Sequence, residues 1–81
     1  MSIKTLNVTC INPDVVYRLL ENASRLQKED VILDYRQFGN GLQILYIHDG
    51  QNTIERSQIE RSQIERSLYE NVQTQLIFSW N

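Results

Sequence analysis

Val31-Ile32-Leu33-Asp34-Tyr35-Arg36-Gln37-Phe38-Gly39-Asn40-Gly41-Leu42-Gln43-Ile44-Leu45-Tyr46-Ile47-His48 is the stretch on which the fold turns. Two runs rich in β-formers, 31–38 and 42–48, flank Gly39-Asn40-Gly41. Glycine and asparagine tolerate the positive φ that tight hairpin loops require. A two-residue loop at Gly39-Asn40 or at Asn40-Gly41 leads to the same facing, because the two pairings differ by two residues and side chains alternate with period two. Leu33, Tyr35, Ile44 and Tyr46 are therefore expected on one face, and Ile32, Asp34, Arg36, Gln43, Leu45 and Ile47 on the other. A three-residue loop with a bulge would break this deduction.

Upstream, Ile3 to Cys10 alternate as a first strand, with Lys4, Leu6, Val8 and Cys10 on the inward side. Asn12-Pro13-Asp14 reads as a helix start: a capping side-chain oxygen, a proline at the first helical position and an acid that complements the dipole. Val15, Val16, Leu19, Ala23 and Leu26 form an apolar stripe, with Arg18, Glu21, Asn22 and Arg25 expected to face water, in a helix running to about Lys28. Beyond His48, Asp49-Gly50-Gln51 is a turn, and Asn52 with Glu55 resembles a capping box. A second helix is expected to about Val72 or Gln73, and Gln75 to Trp80 read as a last strand. The order is βαββαβ in one α+β domain spanning residues 1–81. Right-handed crossovers then make a ferredoxin-like sandwich the economical topology, with strand order 4-1-3-2 and both helices on one face of the sheet. The apolar residues on both sides of Leu42–Ile47 suit a central strand.

The second helix carries a repeat: Ile54-Glu55-Arg56-Ser57-Gln58 recurs as Ile59 to Gln63 and again as Ile64 to Ser67. Five residues advance a helix by about 140° net, so Ile59 falls nearly opposite the stripe of Ile54, Leu68 and Val72, and Arg61 and Glu65 fall on it. Without two pentads the remainder has Ile, Leu and Val at clean four-residue steps. The parsimonious expectation is a shorter amphipathic helix lengthened by ten residues, whether by natural duplication or by design. Arg56–Glu60, Arg61–Glu65 and Arg66–Glu70 are expected as weak i,i+4 pairs. A β-solenoid is the competing reading, but three copies are too few to bury a stacked core.

Composition narrows the function classes. Of 81 residues 41% are hydrophobic, and Leu, Ile, Val and Phe make up about a third, too many for a disordered chain. Eight basic and ten acidic residues give a net charge of −2, so no global field draws the chain to phosphate or to an anionic membrane. One cysteine cannot form an internal disulfide, no signal-peptide pattern opens the chain and no apolar run approaches a membrane span. A cytoplasmic location is expected. Asn7-Val8-Thr9 and Asn22-Ala23-Ser24 match the glycosylation acceptor pattern, which recurs by chance.

No reactive constellation emerges, so neither an enzyme nor a cofactor is expected. His48 is the single histidine, no metal-ligand spacing accompanies it, and the adjacent Asp49 would point to the other side of a strand. Cys10 reads as a small core residue. The glycine turns lack the length and helix start of a phosphate loop. An RNA-stacking sheet needs exposed aromatic rings, whereas Tyr35 and Tyr46 are expected to face the helices, and Phe78 and Trp80 join them if Leu76 is inward. The open side of the sheet remains. Ile32, Leu45, Ile47 and Ile77, with Ile3 at the margin, would form an apolar patch bordered by Thr5, Asp34, Arg36, Gln43 and Ser79. A second copy of the chain or another protein is the expected cover, in a regulatory or adaptor role. A small-ligand sensor and a single-stranded RNA binder stand as alternatives.

Overall fold

The computed structural model describes residues 2–48 and 54–80, with the side chains of the second helix described from Glu60 onward. The chain runs β1 (Ser2–Cys10), a 3-10 turn (Pro13–Val15), α1 (Val16–Lys28), β2 (Asp34–Phe38), β3 (Gly41–His48), α2 (Ile54–Tyr69) and β4 (Leu76–Trp80). The class is α+β: the four strands form one open antiparallel sheet in the order β2-β3-β1-β4, which from its other edge reads 4-1-3-2.

The hairpin register follows from its loop. Phe38 pairs with Gly41 and Tyr35 with Ile44, which leaves Gly39 and Asn40 as a two-residue connection. Gly39 has φ of +59° and Asn40 has no positive φ, the pattern of a II′ turn with glycine first. Gly41 answers a different demand. A Cβ there would lie 1.7 Å from the Val8 carbonyl oxygen of β1, so the close approach of two backbones excludes any side chain.

With that register, Leu42, Ile44 and Tyr46 of β3 turn inward beside Leu6, Val8 and Cys10 of β1 and Leu76 of β4. Val16, Leu19, Ala23 and Leu26 of α1 and Ile64 and Leu68 of α2 join them in one core, so both helices lie on this inner face. Tyr46 is buried and Leu45 and Ile47 point away, as the even-numbered loop requires.

At the start of β2 the alternation gives out. A strand from Val31 was expected, but it begins at Asp34. Asp30 ends α1 with φ of +60°, and Val31 N–H donates to the Leu26 carbonyl at 2.9 Å, which folds residues 29–33 back under the helix. Ile32 is carried into the core at 4% exposure and Leu33 out to 40%, the reverse of the facing that strand parity implies.

The helix ends also depart from expectation. Asn12 does cap the first turn, its Oδ1 accepting from Asp14 N–H at 3.0 Å, but Pro13–Val15 is 3-10 rather than α. The repeat segment is helical, as opposed to solenoidal. It stops at Tyr69, short of Val72, where Asn71 takes a left-handed φ of +60° and Val72 N–H returns to the Tyr69 carbonyl. Asn22, expected in water, is instead buried. Its Nδ2 donates to the Leu68 carbonyl at 2.8 Å and the Glu70 carbonyl at 2.9 Å. Carbonyls at a helix end have no partner within the helix, and α1 supplies one. Arg25 adds a contact to the Ser67 carbonyl and an ion pair with Glu70. Glu70 thus pairs across the helices rather than with Arg66. The expected Asp49-Gly50-Gln51 turn, the Asn52–Glu55 cap, the Arg56–Glu60 pair and the side-chain positions of Ile54 and Ile59 lie outside the described residues.

Candidate interaction face

Cross-strand partners arrange the outer face of the sheet in four rows. Ile47 lies beside Ile3; Asp34, Leu45 and Thr5 form the next row; Arg36, Gln43, Asn7 and Ser79 the third; Phe38, Gly41, Thr9 and Ile77 the fourth. Successive rows are about 6.8 Å apart and neighbouring strands about 4.8 Å. The pleat sends these side chains away from both helices. Ile3 is 66% exposed, Ile47 46%, Phe38 60% and Ile77 54%.

The register decides what kind of patch this is. Ile3, Leu45 and Ile47 adjoin one another and make an aliphatic corner. Ile77, expected to belong with them, stands two rows and two strands from Leu45. Between them runs a polar row held together by its own hydrogen bonds: Arg36 Nε donates to Gln43 Oε1 at 2.8 Å, and Gln43 Nε2 to Asn7 Oδ1 at 3.4 Å. Of the residues expected on this face, Leu45, Ile47, Ile77 and Arg36 are there and Ile32 is not, because the turn after α1 places it in the core. Phe38 is the residue that sequence reasoning left out. It shares the parity of Asp34 and Arg36, so the same alternation would have found it, and the Arg36 guanidinium lies 5.8 Å from its ring centroid.

The other rings of the sheet are engaged on its inner side. Tyr46 and Trp80 meet edge to face with centroids 5.3 Å apart, Trp80 Nε1 donates to Glu65 Oε1 at 2.8 Å, and the Arg61 guanidinium lies 5.4 Å from the Trp80 ring centroid. The two repeat residues that interrupt the apolar stripe, Arg61 and Glu65, thus receive the tryptophan of β4 instead of pairing with each other. Tyr69 closes the α2–β4 connection: its hydroxyl accepts from Leu76 N–H at 3.0 Å and donates to the Leu76 carbonyl, and its ring packs against Phe78. Phe38 is left as the one aromatic side chain on the open face among the described residues, so rings for stacking successive bases are not assembled there.

Beside the Tyr46–Trp80 pair opens a cleft of 260 Å³ lined by Ile32, Tyr46, His48, Arg61, Ile64 and Trp80 among others. Cys10 is buried at the end of β1, and burial pushes the pKa of its thiol up from the ordinary value. Among the described residues no group of three or more His, Cys, Asp and Glu side chains could hold a metal ion, and no helix is long and apolar enough to cross a membrane.

Comparison with protein-family models, with curated proteins and with solved structures finds no match to this chain.

Proposed function

We propose that this chain is a small non-enzymatic protein-interaction module with ferredoxin-like connectivity, homodimeric through the uncovered face of its sheet and serving a regulatory or adaptor role. The supporting observation is the aliphatic corner of Ile3, Leu45 and Ile47, which no described element covers while every helix packs on the opposite side. Apolar area removed from water contributes about 25 cal/mol per Å². Ile3 and Ile47, flush with their neighbours on a pleated surface, are placed to lose most of their exposed area against a second flat face.

Light scattering tests this. The wild-type chain should approach twice its 9.6 kDa mass as concentration rises. Ile47→Asp, at an exposed position where a charge costs the fold little, should stay monomeric. A wild type that is monomeric throughout, or a variant that dimerises equally well, would refute the reading.

The cleft supports a second reading, a sensor of a small aromatic ligand, because a tyrosine, a histidine and a tryptophan line it, with Arg61 balanced by Asp30 and Glu60. Its test is stabilisation by mass action in a thermal-shift screen. Single-stranded RNA binding draws only on Phe38 and Arg36, and its test is salt-dependent retention on single strands.

A further inference from the structure

From the four rows of the open face we infer the geometry of the pair: two copies meet face to face about a two-fold axis that runs along the strands between β3 and β1. This inference rests on the homodimer reading above and adds the orientation.

The open face is self-complementary about this axis. A two-fold axis parallel to the strands keeps each row opposite itself and exchanges β3 with β1 and β2 with β4. Ile47 then sits over Ile3 of the second copy, and Ile3 over its Ile47. Leu45 meets the methyl-bearing Thr5. In the third row Gln43 meets Asn7, both amides able to donate and accept, and Arg36 meets Ser79 at the rim. In the fourth row Phe38 covers Ile77, and the bare backbone of Gly41 faces Thr9. Every pairing follows from the register of the three strand pairs. Apolar meets apolar at both ends of the face, and the amide-rich row meets itself between them. Packed sheets cross at about 30° rather than 0°, which moves the pairs at the edges and corners by a few ångströms and leaves those nearest the axis in place.

The competing axis runs across the strands and seats each strand on its own copy. Centred between the second and third rows it would bring Asp34 to Arg36, one favourable exposed charge pair per copy. It would also place Leu45 over Gln43, Ile47 over Gly41 and Ile3 over Thr9, so each aliphatic side chain would meet a polar group or backbone. Exposed ion pairs contribute little and buried apolar anchors dominate interfaces, so the axis along the strands is favoured. The face measures roughly 19 by 24 Å from strand spacing and rise, or roughly 900 Å² of projected area for two copies. That is less than the roughly 1,000 Å² a stable interface clears, so the pair should be weak and exchange readily.

Thiol cross-linking reads the axis while leaving every apolar contact intact. Arg36→Cys/Ser79→Cys places both thiols in the third row on opposite edge strands, about 14 Å apart within one chain, too far for a short bis-maleimide to bridge internally. The expected result is a covalent dimer on a denaturing gel with this double variant, and none with either single variant or with the wild type, whose Cys10 is buried. An Arg36→Cys chain mixed with an Asp34→Cys chain should stay unlinked. Cross-linking of that mixture, or no cross-linking of the double variant while light scattering still shows a dimer, would overturn the axis and leave the homodimer reading standing. A double variant and wild type that are both monomeric by light scattering would overturn both.

Discussion

Asn22 is the residue whose removal should reveal most about how the two helices are joined. Its amide donates to two carbonyls of the α2 terminus, Leu68 and Glu70, from a site 4% exposed. A net contribution of about 1 kcal/mol per hydrogen bond, with a further cost for leaving the buried Leu68 carbonyl unpaired, makes Asn22→Ala destabilising by about 2–3 kcal/mol. A domain of this length has a total stability of roughly 4–12 kcal/mol, so the loss is a large fraction of it. The melting temperature should fall by roughly 10–20 °C. Urea unfolding followed by circular dichroism measures it directly. Glu21→Ala, one position away on the exposed side and paired only with the partly exposed Arg18, should stay within about 0.5 kcal/mol of wild type. Asn22→Asp sharpens the test, since it keeps the shape but an ionised carboxylate cannot donate. The folded state would hold that group's proton more tightly than the unfolded chain, raising its folded pKa. Destabilisation is then greatest above the raised value and shrinks as pH falls through it. An Asn22→Ala loss below about 0.5 kcal/mol, or an Asn22→Asp penalty that grows on acidification, would refute the capping argument.

The two hairpin glycines should separate cleanly. Gly39→Ala meets no atom within 4 Å and should cost about 1–2 kcal/mol, the strain of a left-handed residue, whereas Gly41→Ala collides with the Val8 carbonyl and should cost about 3 kcal/mol or prevent folding; equal midpoints in urea would show that the strand approach is not the constraint. Among the described side chains, those of α2 that are buried lie from Ile64 onward. A chain lacking Ile54–Gln63 should therefore keep the sheet signature in circular dichroism with less helix, and its unfolding would refute the view that the repeat lengthened a shorter helix.

The alternation of Leu42 to His48 and the even-numbered loop at Gly39-Asn40 were enough to turn Tyr46 inward and Leu45 outward, because the pleat leaves a strand residue only two directions. The stripe on α1 was legible for the same kind of reason, a fixed local period. That period says nothing about Asn22, which lies on the edge of the stripe. Its burial depends on the terminus of a helix 46 positions along the chain coming to rest beside it. Ile32 was misplaced because parity was carried two residues past the point where the chain is extended.

Periodicity was enough for the element order and for the inward sides of β1 and β3, since each follows from a local repeat. Only the tertiary structure decided that the exposed aliphatic residues are divided by the Arg36–Gln43–Asn7 row, and that Glu65 and Arg61 receive Trp80. Those facts depend on register between strands distant in sequence. Each strand carries its own alternation, but the offset between two strands is set by the packing of the whole core.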